Sequence, residues 1–199
     1  LRAPSSRIAL GSQLLKAERL DAFQADTLVY FAKMLEDARL PFGESPGVLI
    51  RKSIPSDKED VGSVARVAFE NYPNHYLANQ RLEPSAIAHG YGEWAQRCVD
   101  DPFTMVLVAI VDDSICGFIA TKVDNQSAEV VLNAVHPRFE GRGIYQNLLQ
   151  HTCRLVLEAG GHSISISTQI LNQRVINIWI RSGFVLQETF NTFHLSPIR

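Results

Sequence analysis

The sequence predicts a mixed α/β (α+β) domain, in which helices flank a mostly antiparallel sheet behind a short N-terminal extension. Three strand-like segments follow one another between residues 104 and 135, with Asp-containing turns between them. A segment with helical periodicity then precedes "HSISIST" at 162–168, whose apolar and polar residues alternate strictly. Strands in succession, followed by helices that alternate with strands, differ from the repeated winding of a parallel α/β sheet.

The composition narrows the functional classes. The 199 residues are 46% hydrophobic and 20% charged, and the net charge of −2 gives no reason to expect a nucleic-acid partner. The longest apolar run, "MVLVAIV" at 105–111, is too short to span a bilayer, so we expect no membrane partner. Three widely spaced cysteines are typical of reduced thiols in a cytoplasmic protein, and no residue cluster has metal-ligand spacing. We find no secretory signal, and the first residue, Leu1, is compatible with a missing upstream part.

Residues 1–46 form the predicted extension, with the end of an N-terminal lobe as one interpretation. "RIALGSQLLKAERL" at 7–20 spaces its apolar residues by three and four, which predicts a helix. "DTLVYFAKML" at 26–35 is rich in β-branched and aromatic residues, which favours a strand. "PFGESPG" at 41–47 contains two prolines and two glycines, so we expect a linker there and a second unit over 47–199.

The second unit opens with a predicted strand and two helices. The strand covers "VLIRKS" at 48–53, and the first helix, capped by Ser56 or Asp57, ends near Glu70. The second helix covers 85–99 and is opened by a proline. Its spacing predicts one inward stripe formed by Ile87, Tyr91, Trp94 and Cys98.

The remaining strands are expected at 104–111, 116–123, 128–135 and 162–168. The first is apolar on both faces, which predicts a central position in the sheet. A final strand pair or hairpin is expected over 184–195.

Two further helices are expected at 143–159 and 172–184. The first turns one apolar stripe inward and ends at two glycines, and the second is capped by Asn172 and stopped by Gly183. The inward stripe comprises Leu148, Leu149, Thr152 and Val156.

The segment "HPRFEGRGIY" at 136–145 places two glycines directly before a helix. A nucleoside-triphosphate loop would continue Gly-Lys-Ser/Thr, and a dinucleotide loop would need a third glycine where Gln146 stands. A turn that uses glycine for its geometry alone stays open as an alternative. Otherwise, bare amides at a helix start attract an anion such as a diphosphate, and Arg142 adds a mobile positive charge. Glu140 would repel that anion unless it points away or pairs with Arg138 or Arg142.

Two motifs resemble those of the GNAT family, the acetyl-CoA-dependent N-acetyltransferases. "VHPRFEGRGIY" at 135–145 resembles the family's Gln/Arg-x-x-Gly-x-Gly/Ala signature after a strand that ends in Val-x-Pro, with Glu140 in place of Gln or Arg and Tyr145 in place of the last Gly or Ala. "NQRVINIWIRSGF" at 172–184 matches a second signature, an asparagine followed by a helix that closes with Gly-Phe. The resemblance covers about 47–199 and implies the GNAT fold, with splayed middle strands. More narrowly, the chain is similar to sugar-nucleotide amine acetyltransferases of the TDP-fucosamine acetyltransferase type.

The resemblance implies acetyl-CoA as co-substrate, no metal, and a pantetheine arm between the strands 128–135 and 162–168. The implied coenzyme-binding residues are Ala134, Val135, Gly141, Arg142, Gly143, Ile144, Tyr145, Asn172 and Trp179. An amine attacks the thioester directly, and the backbone N–H of Asn133 meets the developing oxyanion. Glu129 is the first candidate for the base. Trp179 replaces the tyrosine that commonly protonates the thiolate, so Tyr145 is the candidate acid.

The polar segment 71–83 is expected to form the acceptor wall. Candidate acceptor-binding residues are Tyr72, His75, Tyr76, Arg81 and His194, since a nucleotide sugar needs stacking for its base and Arg for its phosphates. His75 is a second candidate base. The leading hypothesis is acetyl transfer to a nucleotide-linked amino sugar, with a homodimer as one expected assembly. Alternatives are a peptide, polyamine or antibiotic amine as acceptor, and a non-catalytic acyl-CoA-binding module.

Overall fold

The computed structural model describes residues 1–16, 20–36, 45–124 and 126–197. Its helices are α1 (Ile8–Leu15), α2 (Lys58–Phe69), α3 (Pro84–Asp100), α4 (Ile144–Glu158) and α5 (Gln173–Arg181). Its strands are β1 (Arg2–Pro4), β2 (Leu20–Met34), β3 (Leu49–Lys52), β4 (Thr104–Val111), β5 (Ser114–Asp124), β6 (Ser127–Val135), β7 (Ser163–Gln169) and β8 (Val185–Pro197).

The described strands form a single eight-stranded sheet in the order β1-β8-β2-β7-β6-β5-β4-β3. Every neighbouring pair is antiparallel except β6 and β7, which are parallel. The mixed, mostly antiparallel sheet with flanking helices that the sequence predicts is therefore confirmed.

Each face of the sheet is covered by a pair of helices. One core packs α4 and α5, through residues such as Leu148 and Trp179, against β2, β6 and β7. The other core packs α2 and α3, through residues such as Val61 and Tyr91, against β4, β5 and β6. The helical periodicity of the sequence is explained by these two apolar interfaces.

The N-terminal segment is built into this sheet. Strand β2 pairs with β7 from Leu28 to Met34 on one side and with β8 along most of its length on the other. Division of the chain after residue 46 stays a prediction, and residues 41–44 of the expected linker lie outside the described residues.

Strand β6 carries a bulge that matters for the site. Leu132 pairs with Ala120 and Val130 pairs with Thr121, so Val131 is an extra residue. Because a bulge exchanges the two faces, Val130 packs under α4 while Leu132 packs under α2 and α3. Strands β6 and β7 pair only from Ser127 to Val130 on β6, and beyond this point they separate as expected.

Several sequence predictions about elements were wrong. The helix expected over 7–20 ends at Leu15, and Leu20 already begins β2. The expected hairpin at 184–195 is one strand, β8, because its hydrogen-bonding partners are β2 and β1. Strand β4 is second from the edge of the sheet, and its apolar faces are explained by helices on both sides.

Two side-chain predictions were also wrong. Trp94 does not continue the buried stripe of α3, since 39% of it is exposed. Asp57 stands at the first position before α2, but its carboxylate accepts hydrogen bonds from Arg51 and from the N–H of Ile54 instead of capping that helix. The Arg51 guanidinium holds the pKa of the Asp57 carboxyl below its ordinary value.

Candidate active site

The turn before α4 has the backbone geometry that the two glycines predict. Gly141 and Gly143 have φ angles of +79° and +76°, in the left-handed region that disfavours side chains. Gly143 immediately precedes α4, whose first amides have no carbonyl partner within the helix. These amides and the helix dipole provide a site for an anion.

Charged residues around this turn are arranged differently from the sequence expectation. Glu140 pairs with Arg174 of α5 at 2.7 Å, not with Arg138 or Arg142. Arg142 lies over the Phe139 ring, 5.1 Å from its centroid. The negative charge of Glu140 is therefore partly neutralised by Arg174, and Arg142 is exposed to solvent in the turn.

A cavity of about 570 Å³ extends from this turn along the separated ends of β6 and β7 to the loop between α2 and α3. Most of the predicted coenzyme-binding residues line it, namely Ala134, Val135, Gly143, Ile144, Tyr145, Asn172 and Trp179. Gly141 and Arg142 do not, and both are exposed in the turn before α4. Asn133 and Glu129 line the same cavity from β6.

Tyr145 and Trp179 make a direct contact that the sequence did not reveal. The Trp179 indole N–H donates a hydrogen bond to the Tyr145 hydroxyl at 2.6 Å. Trp179 is buried and packs against Phe31 of β2, with ring centroids 5.5 Å apart. Burial raises the pKa of the Tyr145 hydroxyl, so the phenol stays protonated at neutral pH.

Both polar atoms of the Asn172 side chain form hydrogen bonds. Its carbonyl oxygen accepts a hydrogen bond from the N–H of Val175, which confirms the predicted cap of α5. Its amide nitrogen donates to the Tyr72 hydroxyl and to Thr168, both at 3.1 Å. The Tyr72 hydroxyl in turn donates to the side-chain oxygen Oε1 of Gln169 at 2.6 Å. Tyr72 thus fastens the α2–α3 loop to β7 and α5.

Glu129 lies on β6 opposite Lys122 of β5 and is exposed to solvent within the cavity. It precedes the bulge at Val131, on the opposite face of the strand from its neighbour Val130, which is buried under α4. A carboxylate in this position can exchange protons with bulk water while it faces the cavity.

Aromatic residues line the other end of the cavity. Tyr72, Tyr76, Tyr91 and Trp94 all contribute, and Phe69 stacks on Tyr91 at a centroid distance of 4.0 Å. The helical periodicity assigned Tyr91 and Trp94 to the core by default. Nothing in the sequence indicated that these two residues line a cavity.

His75 and His194 form a pair at this end. Nδ1 of His75 lies 3.0 Å from Nε2 of His194, and Nδ1 of His194 lies 3.0 Å from the Asn79 side-chain nitrogen. His75 lines the cavity, and His194 supports it from β8. Burial lowers the pKa of both histidines, which favours the neutral imidazoles at pH 7.

Arg81 does not join the other predicted acceptor residues. It pairs with Asp21 of β2 at 2.7 Å and is outside the cavity lining. The cations that do line the cavity are Arg2 of β1 and Arg174 of α5. Arg2 belongs to no motif, and Arg174 lies within the second motif at a position to which the motif assigns no role, so sequence reasoning singled out neither.

Within the described part of the chain, no group of three or more histidines, cysteines and carboxylates is placed to hold a metal ion. Among the helices described, none has the length and apolar character needed to cross a membrane.

Comparison with known proteins places these features in a family. The model of the acetyltransferase (GNAT) family matches residues 67–184, more than half of the chain. The chain is 24% identical over 143 residues to the spore coat polysaccharide biosynthesis protein SpsD of Bacillus subtilis, covering 72% of this chain and 49% of that protein. It is 25% identical over 157 residues to the mycothiol acetyltransferase of Propionibacterium freudenreichii, covering 77% of this chain and 46% of that protein. The chain thus spans about half the length of these relatives.

Solved structures share the fold at low sequence identity. A GCN5-related N-acetyltransferase from Sphaerobacter thermophilus matches with a TM-score of 0.69 and 17% identity, over 100% of this chain and 59% of that chain. The PaiA N-acetyltransferase from Thermoplasma acidophilum, in complex with coenzyme A, matches with a TM-score of 0.60 and 19% identity, over 74% of this chain and 99% of that chain. Together with the two motifs, the turn before α4 and the separated strands, the family match shows that this chain belongs to the GNAT acetyltransferase family.

Proposed function

We propose that the protein transfers an acetyl group from acetyl-CoA to the amino group of a nucleotide-linked amino sugar, by direct attack on the thioester. The observation that carries this proposal is the continuous cavity, which joins the turn before α4, the gap between β6 and β7, and the aromatic end. A donor and an acceptor can therefore enter from opposite ends and meet at the gap.

The donor occupies the end nearest α4. Its diphosphate lies against the first amides of the helix, where the dipole favours negative charge. Its pantetheine arm lies along β6 where β7 no longer pairs with that strand, and can use the backbone groups that the separation leaves open. The N–H of Asn133 stabilises the oxyanion that forms as the amine attacks.

The reaction requires that the amine lose a proton and that the departing thiolate gain one. The amine nitrogen forms the new C–N bond and gives its proton to Glu129, while the C–S bond breaks and the thiolate takes a proton from Tyr145. Since the reference pKa of a thiol is near ~8.5, the thiolate is a good leaving group and the demand on Tyr145 is modest.

The acceptor occupies the aromatic end. Tyr72, Tyr76, Tyr91 and Trp94 offer ring faces for a nucleobase and for the apolar face of a sugar, and Arg2 offers a charge for phosphate. The name of the Bacillus subtilis relative refers to polysaccharide biosynthesis, which supports a saccharide acceptor. A homodimer stays a prediction.

A binding module without activity is less favoured by the geometry. That alternative rested on Trp179, because indole is not an acid. The Tyr145 hydroxyl, held by Trp179 at 2.6 Å, restores an acidic proton to the same part of the cavity.

The test is thiol release from acetyl-CoA with a panel of amines. The panel contains a nucleoside-diphosphate-linked amino sugar, free glucosamine, spermidine, a peptide with a free N-terminus and an aminoglycoside. The highest kcat/KM is expected with the nucleotide-linked sugar. Release with the peptide but with neither sugar would contradict the acceptor assignment. Coenzyme binding without release for any amine would support the binding module instead.

A further inference from the structure

His75 and His194 belong to a chain of hydrogen bonds in which the hydrogen atoms can be assigned. The Asn79 side-chain oxygen accepts a hydrogen bond from the N–H of Arg81, so the amide nitrogen is the atom that faces Nδ1 of His194. An amide nitrogen only donates, so Nδ1 of His194 is the acceptor and the neutral ring carries its hydrogen on Nε2. That Nε2–H donates to Nδ1 of His75 at 3.0 Å. The neutral His75 ring therefore carries its own hydrogen on Nε2.

The Nε2–H group of His75 is a donor without a partner among the residues that the structure describes. It is not one of the unpartnered polar atoms that are shielded from solvent. Because His75 lines the cavity, this donor is open to a ligand there. A protonated ring also carries a hydrogen on Nε2, so the donor is present in either state.

Arg2 of β1 brings an unpaired positive charge to the same end of the cavity. It lines the cavity and is exposed, and its guanidinium forms no hydrogen bond or ion pair with the described part of the chain. Arg2 pairs with Thr192 of β8, and His194 lies two residues further along β8 on the same face of the sheet. Burial lowers the pKa of His75, Asp26 opposes this shift and Arg2 adds to it, so the charge of Arg2 acts on His75.

Arg2 and His75 both offer donors to the cavity and no acceptor. The carboxylates that line the cavity, Glu129 and Glu140, belong to β6 and to the turn before α4. The Asp26 carboxylate lies in the same cross-strand row as Arg2 and offsets part of its charge. Its oxygens are shielded and it does not line the cavity, so it does not contact a ligand there. A ligand between Arg2 and His75 must therefore supply oxygens that accept hydrogen bonds.

The strand order places Arg2 far from the reacting groups. Four strand spacings separate β1 from β6, which corresponds to roughly 19 Å at about 4.8 Å per spacing. The N–H of Asn133, which is proposed to stabilise the oxyanion, belongs to β6. Arg2 is thus placed to contact a part of the acceptor that is remote from its amine, as the diphosphate of a nucleotide-linked sugar is.

We propose that Arg2 and the Nε2–H group of His75 bind the diphosphate of the nucleotide-linked acceptor. The hydrogen bonds from Asn79 through His194 hold His75 in its donating form. Arginine suits phosphate because its planar guanidinium presents several N–H groups and stays charged. The inference rests on the proposed nucleotide-linked acceptor, and it gives His75 a role in specificity. The hydrogen on Nε2 also argues against His75 as the base, which leaves Glu129 as the candidate.

Calorimetry on the protein saturated with coenzyme A tests this subsite without relying on turnover. UDP and TDP are each compared with their own nucleosides, uridine and thymidine. For at least one base, the diphosphate should bind the wild type more tightly than the nucleoside does. Arg2→Gln and His75→Phe should each weaken that diphosphate about tenfold or more, and should change the nucleoside by less than about twofold. His75→Gln, which keeps an N–H donor, should lose less than His75→Phe.

The matched control is Arg7→Gln, which removes an exposed cation of the same N-terminal segment that does not line the cavity. Its affinity for every ligand should equal that of the wild type. Melting temperatures show whether each variant is folded, and Arg2→Gln is expected to be folded because Arg2 is exposed.

The position of the hydrogen on His75 is measured by NMR of the ¹⁵N-labelled imidazole rings. Burial lowers the pKa of both histidines, so both rings are neutral at about pH 8. Both should carry their hydrogen on Nε2. A hydrogen on Nδ1 of His75 would overturn the assignment of this residue as a donor.

The outcomes separate this inference from the proposed function. The subsite would be overturned if neither diphosphate bound more tightly than its nucleoside, or if the variants weakened both equally. Turnover with a nucleotide-linked amino sugar, together with such a result, would overturn the subsite alone. Selective loss of diphosphate binding in the variants, without turnover of any nucleotide-linked amino sugar, would support the subsite and contradict the proposed reaction.

Discussion

The contact between Trp179 and Tyr145 supports the proposal that Tyr145 is the acid in place of the usual tyrosine. Indole cannot give up its proton to a thiolate, but its N–H orients a neighbouring hydroxyl. The phenol thereby enters the cavity from α4 instead of α5. The hydrogen bond and the rigid packing of Trp179 against Phe31 hold the hydroxyl in one position.

Tyr145→Phe should lower kcat by about 10- to 100-fold while KM for acetyl-CoA changes little, since the ring stays in the cavity and the proposed proton donor is removed. Burial raises the pKa of Tyr145, so the phenol stays protonated as pH rises towards its ordinary value of about 10. The loss should therefore be constant between pH 7 and about 9.5. Steady-state kinetics over that range checks this.

The matched control for that change is Tyr30→Phe, which removes another phenol from the cavity lining without touching the indole. Its kcat should stay near that of the wild type. An equal fall in both variants would show that kcat responds to cavity polarity rather than to one acid.

A larger share of the residues predicted for the donor end than of those predicted for the acceptor end lines the cavity. The glycines and Asn172 lie in continuous motifs, and their positions follow from local backbone geometry. Arg2 reaches the cavity only through pairing of distant strands, which no local pattern encodes. Arg81 was wrongly predicted to face the acceptor. Its actual partner, Asp21, lies on a strand that is distant in the chain, and no local pattern indicates that pairing.

The turn into α4 permits a test of the anion site with a control at the other end of the same helix. Gly143 and Gly160 both have positive φ angles, +76° and +85°, so alanine at either should cost about 1–2 kcal/mol of stability. A Cβ at Gly143 would also meet the Ser45 hydroxyl at 2.5 Å, whereas one at Gly160 meets nothing within 4 Å. Of the two changes, only Gly143→Ala strains the turn at the start of α4, where the anion is proposed to bind.

Coenzyme A affinity, measured by calorimetry, should therefore fall about tenfold or more in Gly143→Ala and stay unchanged in Gly160→Ala. Chemical denaturation of both variants measures the shared loss of stability. Equal affinities in the two variants would assign the glycines to backbone geometry alone, the alternative that the sequence left open.

The helices of the second half of the chain were predicted well, and the main error among the strands concerns pairing. The helices α3, α4 and α5 lie where their apolar stripes and capping residues indicate. The segment 184–195 was expected to form a strand pair or hairpin, because a hairpin joins strands that are adjacent in the chain. Its partners are instead β2 and β1, from the opposite end of the chain, and a strand sequence does not identify its neighbours.

The complete sheet is thus assembled from both ends of the chain. Without β2, strands β7 and β8 would lie on either side of a gap, each with an unpaired edge. Leu28, Val29 and Phe31 of β2 are nearly fully buried, so the strand contributes to packing as well as to hydrogen bonding. Residues 1–46 are therefore expected to be part of the folding unit and not an appendage to it.

A fragment of residues 47–199 should consequently fail to unfold cooperatively. If it does unfold cooperatively, its free energy of unfolding should be at least about 5 kcal/mol lower than that of residues 1–199, because each large buried side chain lost costs about 2–5 kcal/mol. Urea denaturation followed by circular dichroism measures the difference. The matched control is residues 5–199, which lacks only the three-residue edge strand β1 and should lose far less. If the shorter fragment unfolded at the same urea concentration as the whole chain, division after residue 46 would mark an independent domain, and β2 would be dispensable to it.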